Sequence, residues 1–179
     1  MQKPKEEKDI ETSIYKDLSN LTRDKDSWKT HIPYVASQLS NPSEHIRAKT
    51  LWLLGEMGLL YPLIVQDHVA KIASFLDSET PLLRQRALNG LGRIGRGDFR
   101  VIEEYWEDLF RFAKDEDAGV RLNFIWASEN IATNTPDIYK YHMDVFAGLL
   151  SDTDEKVRME APETSASSEN EDRNSSVPI

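Results

Sequence analysis

One arginine returns every 37 residues along this chain, and that interval decides what the chain can fold into. The four positions are Arg47, Arg84, Arg121 and Arg158. An aliphatic residue precedes each arginine, and a turn-forming residue lies six positions before it, at Asn41, Ser78, Asp115 and Asp152. Four coincident phases without an insertion indicate an internal repeat. Such a repeat predicts units that stack side by side along one axis.

Each unit is predicted to be a pair of helices. In the second unit, apolar residues at helical spacing predict a first helix over 64–76. A turn follows, with Ser78 or Thr80 as the N-cap of the second helix. In the first unit the predicted cap is Asn41, and Glu44 three residues later resembles a capping box. No stretch alternates apolar and polar residues as a strand does, so the predicted fold class is all-α.

The second helix of each unit resembles the second helix of a HEAT repeat. The resemblance is carried by a turn residue, an aliphatic–arginine pair, alanine and leucine, and an end rich in small residues, in the segments Asn41–Gly58, Ser78–Gly95 and Asp115–Ala132. The short repeats of bilin-lyase-type proteins are the most similar kind. The resemblance implies a right-handed α-α superhelix of about three and a half helix pairs, with the second helices on the concave side.

The repeat divides the chain into three predicted parts. These are a charged N-terminus with a capping helix over 1–26, the HEAT-repeat array over 27–161, and a disordered, acidic, serine-rich tail over 162–179. In the fourth unit Pro162 is expected to end the second helix early. Three explanations stay open for that half-covered unit: the short helix is a sufficient cap, the face binds a second copy or a partner, or the chain is a fragment of a longer array.

Composition limits the function. The net charge of −9 repels nucleic acid and anionic membranes on average. The chain has no cysteine, which excludes disulfides, thiolate zinc sites and cysteine nucleophiles. The most apolar run, over 51–65, is shorter than the about 20 residues of a membrane helix and contains Glu56 and Pro62. We therefore expect a cytoplasmic protein that makes no contact with membranes.

Two features imitate catalytic or cofactor sites. His31, His68 and His142 share one repeat phase, but equivalent helices in a stack lie about 10 Å apart. That separation is too large for one metal ion, whose nitrogen ligands lie at about 2 Å. The segment 90–95 imitates a dinucleotide-binding fingerprint, but it ends a helix and does not follow a strand. The sequence therefore predicts no enzyme, no metal and no cofactor.

The repeated arginines could form an anion-binding row or a structural ladder. The resemblance to HEAT repeats implies the structural role, in which each guanidinium packs along the stack and bonds to turn acids or carbonyls. Asp115 and Asp152 are the predicted acidic partners, and Asp77, one place off phase, is a third.

A second set of side chains is predicted to face outward from the second helices, on the concave surface. In chain order they are Lys49, Trp52, Leu53, Glu56, Arg86, Asn89, Arg93, Asn123, Trp126 and Asn130. Trp52 and Trp126 are in phase two repeats apart, and exposed tryptophan near arginine is typical of binding hot spots. An alternative stays open, in which both tryptophans are buried between adjacent helices. Trp28 and Trp106 are predicted to be core residues.

The leading hypothesis is a non-catalytic scaffold or adaptor that binds a partner protein or peptide along the concave face. One alternative is a nucleic-acid-binding protein like the HEAT-like DNA glycosylases, with Lys49, Arg86 and Arg93 as its cations. The acidic balance and the lack of a continuous basic stripe weigh against it. Another alternative, a HEAT-type lyase or chaperone subunit, rests on fold analogy alone. Self-association through the C-terminal half-unit also stays open.

Overall fold

The computed structural model describes residues 5–161, without the side chains of residues 5 and 6, and within that range it contains helices and no strand. Helix α1 (Lys5–Leu21) precedes the repeats. The first unit contains α2 (Trp28–Ser37) and α3 (Glu44–Leu60), and the second contains α4 (Pro62–Val65), α5 (Val69–Ala73) and α6 (Pro81–Gly97). The third unit contains α7 (Glu103–Trp106) and α8 (Ala118–Ala132), and the fourth contains α9 (Met143–Leu149) and α10 (155–161). The all-α prediction is confirmed, while the predicted tail over 162–179 lies outside the described residues.

The first helix of each unit is less regular than its apolar pattern predicts. Instead of one helix over 64–76, the second unit has α4 and α5 joined and followed by 3₁₀ turns. In the third unit the 3₁₀ helix Glu107–Lys114 follows α7. A 3₁₀ helix has three residues per turn, so it keeps residues three apart, such as Leu109 and Phe112, on one side. Because both helix types preserve this apolar spacing, the sequence pattern could not tell them apart.

The second helices α3, α6 and α8 are long and pack side by side. Glycine brings their backbones unusually close: a Cβ added to Gly55 would lie 2.8 Å from the Cα of Gly90. A Cβ added to Gly92 would lie 2.5 Å from the Cα of Ala127. The glycines that imitate a dinucleotide fingerprint therefore form the contact surfaces of α6 with its two neighbours.

We predict that Gly92→Ala lowers the free energy of unfolding by about 1–3 kcal/mol, because the added methyl group must force α6 away from α8. The matched control is Gly148→Ala in α9, where an added Cβ meets nothing within 4 Å. That control should raise stability by up to about 1 kcal/mol through helix propensity. Urea denaturation measures both variants, and equal effects would contradict the close packing of α6 on α8.

The turn before each second helix repeats one set of hydrogen bonds. The side-chain oxygen of the turn residue accepts from the backbone N–H two residues later, in the pairs Asn41–Ser43, Ser78–Thr80, Asp115–Asp117 and Asp152–Asp154. The predicted cap at Asn41 is therefore wrong, since its side chain is already used in the turn. Ser43 caps α3 by accepting from the N–H of Ile46, and Asp117 does the same for α8.

Each repeated arginine binds the turn of its own unit. Nη1 of Arg84 donates to the carbonyls of Ser78 and Glu79 at 2.8 and 3.2 Å. The equivalent pair of bonds recurs at Arg47, Arg121 and Arg158. The arginine thus fixes the turn to the second helix that follows it.

Two of these arginines also connect one unit to the next. Arg84 donates to both carboxylate oxygens of Asp115 at 3.0 and 2.9 Å, and Arg121 does so to Asp152 at 2.8 and 2.7 Å. All four side chains are only 8–11% exposed. The hydrogen bond from Arg121 is the main cause that lowers the pKa of Asp152. These paired hydrogen bonds connect the second unit to the third and the third unit to the fourth.

The structure does not bear out Asp77 as a third partner of the ladder. Asp77 ends the 3₁₀ segment before its turn, so its carboxylate lies beside the first-helix segment of the next unit. There it accepts a hydrogen bond from Arg111 at 2.6 Å. The residue in the ladder phase of that turn is Ser78, which has no carboxylate to offer Arg47.

We predict that Arg84→Ala lowers the free energy of unfolding by about 2–4 kcal/mol, because it leaves the buried Asp115 carboxylate without its cation. The matched control is Arg158→Ala, which removes the same two carbonyl bonds from an exposed arginine. That change should cost less than about 1 kcal/mol. Thermal and urea unfolding would compare them, and similar losses would show that the bond between units contributes little.

Candidate functional site

A groove of about 440 Å³ lies where α1 meets the second helices α3 and α6. Its lining combines aromatic, cationic and apolar side chains: Tyr15, His45, Ala48, Lys49, Trp52, Leu82 and Arg86. Tyr15 comes from α1, so the helix before the repeats contributes one wall. Three of the predicted face residues, Lys49, Trp52 and Arg86, meet in this groove.

The aromatic rings of the groove are held by stacking and by a neighbouring cation. The rings of Tyr15 and His45 stack with centroids 4.6 Å apart and planes 11° from parallel. The Nζ atom of Lys49 lies 4.6 Å from the ring centroid of Trp52 and 5.9 Å from that of Tyr15. Trp52 is half-buried and packs against the core. The groove therefore presents a fixed aromatic surface with a cation over it.

Two positive charges lie together in this groove. Burial lowers the pKa of Lys49, and the charge of Arg86 lowers it further. Within residues 7–161, neither side chain forms an ion pair with a carboxylate. An anionic group that entered the groove would meet two cations that have no carboxylate within ion-pair distance among residues 7–161.

The remaining candidates on α3 and α6 are largely used by the fold. Arg93 and Glu56 form an ion pair at 2.8 Å, so Arg93 is not a free cation. Asn89 is half-buried, and its Oδ1 atom and the Nε of Arg93 are buried without a hydrogen-bond partner. Leu53, expected to face outward, is instead 0% exposed. Its burial follows from the position of α3, which packs against α1, α2 and α6 at once.

The candidates on α8 lie apart from the groove. Asn123 and Asn130 each donate a 2.8 Å hydrogen bond to a carbonyl of their own helix. The indole N–H of Trp126 donates to Glu160 of α10 at 3.0 Å. Trp126 is half-buried, as Trp52 is, so each tryptophan lies between the two alternatives of full exposure and full burial.

The other tryptophans and the histidines belong to the core or to local contacts. Trp28 and Trp106 are 1% and 9% exposed, which confirms both as core residues. The Nδ1 atom of His31 lies 2.8 Å from the carbonyl of Ser27, and His142 stacks on Phe110. In the part of the chain that the structure describes, no three metal-binding side chains cluster.

Sequence reasoning missed Tyr15, His45 and Leu82 as groove residues. Tyr15 lies outside the 37-residue period, so no repeat phase points to it. His45 and Leu82 occupy the same repeat phase, two positions before the repeated arginine. That shared phase next to Lys49 and Arg86 is the signal that could have found them.

No helix between residues 5 and 161 is both long and apolar enough to cross a membrane.

The family model of the sister chromatid cohesion protein PDS5 matches residues 29–178. The chain belongs to this family. The match covers residues 29–161 of the predicted repeat array, and it confirms the predicted membership among HEAT-repeat proteins. It does not test the likeness to bilin-lyase-type repeats. No curated protein sequence matches this PDS5-family chain.

Solved structures similar to the PDS5-family chain are stacked helical repeats. Two engineered proteins align with TM-scores of 0.61 and 0.62, each at 18% identity over 78% of the chain. A designed armadillo repeat protein, in complex with the peptide (KR)4, aligns with a TM-score of 0.61 at 16% identity over 74% of the chain. The chain spans 62–64% of the length of these three proteins. At these identities the likeness concerns the fold alone.

Proposed function

We propose that this PDS5-family chain is a non-catalytic scaffold that binds a partner protein or peptide on the face of its second helices. The observation that carries the proposal is the groove between α1, α3 and α6, where half-buried Trp52 lies beside two cations without acidic partners. Tryptophan and arginine at the centre of a partly desolvated surface are the residues that dominate binding hot spots. The close backbone contact of α3 with α6 at Gly55 and Gly90 keeps that surface rigid, so little conformational entropy is lost on binding.

The comparisons support a protein partner. The matching family is named for sister chromatid cohesion, and we extend that process to this chain as the setting in which the scaffold acts. The designed armadillo protein with its bound peptide supports an extended segment as the form of the partner. Asn89, Arg93, Asn123, Trp126 and Asn130 would extend the contact along the row of second helices.

The nucleic-acid alternative is weaker than the sequence suggests. Of its three candidate cations, Arg93 is paired with Glu56. Two cations make a short positive patch, whereas a duplex needs several phosphate contacts along a continuous surface. No specific observation in the described residues favours that function over protein binding.

Site-specific photocrosslinking tests the proposal. p-Benzoylphenylalanine replaces His45 at the rim of the groove, or Lys71 on α5 as a matched control. Both positions are exposed and lie beside an aromatic ring, Tyr15 or Phe75. We expect irradiation in a native lysate to give a discrete protein adduct from the first position and none from the second.

The same experiment includes a tryptophan variant. Trp52→Ala should reduce the adduct at least tenfold, because it removes the aromatic surface of the groove, while circular dichroism shows unchanged helicity. Trp126→Ala should reduce it less, since that indole is already bonded to Glu160. An equal adduct from Lys71, or one that survives Trp52→Ala, would contradict the proposed face. An adduct destroyed by nuclease would favour the nucleic-acid alternative.

A further inference from the structure

Lys49 and Arg86 occupy the same phase of neighbouring units, so they stand side by side on α3 and α6. In the third unit the same phase holds Asn123, whose amide bonds to its own helix. The positive charge of this row is therefore confined to the groove and does not continue along the solenoid.

The chain has 31 acidic and 22 basic residues, and three arginines on the second helices form ion pairs with carboxylates. Arg84 binds Asp115, Arg93 binds Glu56 and Arg121 binds Asp152. Burial removes hydration from Lys49 and, as the second cause, the charge of Arg86 repels it, and both effects lower the pKa of Lys49. An incoming carboxylate would offset the repulsion between the two cations through its attraction to both.

We propose that the groove binds an extended acidic segment of the partner, with a carboxylate between Lys49 and Arg86 and an apolar side chain against Trp52. This inference rests on the proposed function and adds the chemistry of the partner to it. The apolar side chains of Ala48 and Leu82 and the stacked Tyr15–His45 pair provide the surface for the neighbouring apolar residue.

The dimensions of the groove favour a segment over a folded surface. A volume of about 440 Å³ holds a few side chains and lies within the range of small-ligand pockets. A basic segment, such as the peptide in the armadillo complex, would meet like charge at Lys49 and Arg86. The helical stack is shared with that protein, while the charge at this groove calls for the opposite kind of peptide.

Fluorescence anisotropy with a synthetic probe tests the inference. The probe is a fluorescein-labelled decapeptide of alternating Glu and Leu, and its counterpart has Gln in place of every Glu. The full chain should bind the acidic probe at least ten times more tightly than the Gln counterpart. Binding should weaken as salt rises from about 50 to 300 mM, because the attraction is between charges.

Two double variants locate the site. Lys49→Gln/Arg86→Gln should weaken binding of the acidic probe at least tenfold. Lys71→Gln/Arg96→Gln removes the same charge from exposed positions away from the groove and should change the affinity less than twofold. Equal loss in both variants, no preference for Glu over Gln, or no binding of the acidic probe would each overturn the inference.

The crosslinking experiment separates this inference from the scaffold proposal. If the adduct from the His45 position is lost in Trp52→Ala and retained in Lys49→Gln/Arg86→Gln, the scaffold stands and the acidic segment is wrong. If both variants lose the adduct and the Lys71/Arg96 pair keeps it, the partner uses the two cations. If no adduct forms from the groove, the scaffold proposal itself fails.

Discussion

The hydrogen bonds between each repeated arginine and its turn are the interaction on which the rest of the structure depends. One guanidinium holds two carbonyls of its own turn, and at Arg84 and Arg121 it also holds the carboxylate of the next turn. Both ends of these bonds are largely buried, so breaking one would leave an uncompensated charge. The second helices α6, α8 and α10 are thereby fixed relative to one another. Arg47 has no carboxylate partner in the next turn, so α3 is held against α6 by packing, including the close contact of Gly55 with Gly90.

A groove between the second helices also requires that their backbones lie close together. Gly55, Gly90 and Gly92 let the backbones of α3, α6 and α8 approach one another. On one side of this packed row, α1 adds Tyr15 as a wall. The groove therefore depends on both the repeat and the helix before it. A single unit would have neither the neighbouring cation at Arg86 nor the stacked Tyr15.

The repeat interval was enough to predict the fold, because a phase that returns four times constrains every unit at once. The phase also brought Lys49, Trp52 and Arg86 into one candidate set. It failed where a contact depends on the surroundings of a single helix. Leu53 is buried because α3 packs against α1, α2, α4 and α6. Ser43 and not Asn41 is the N-cap of α3, because the side chain of Asn41 is already bonded within the turn. Tyr15 follows no repeat phase, so only the folded chain shows it.

We propose that the partner binds at the surface around Trp52. Nitrogen-15 NMR of the four tryptophan indole N–H groups reports on that surface directly. The chain is titrated with a free peptide that corresponds to the partner segment identified by crosslinking. The indole of Trp28 is buried and donates to the carbonyl of Leu21, and Trp106 is buried among aromatic rings, so both serve as internal references. We predict that the Trp52 signal shifts or broadens while those of Trp28 and Trp106 stay in place. A titration that leaves Trp52 unchanged would contradict it.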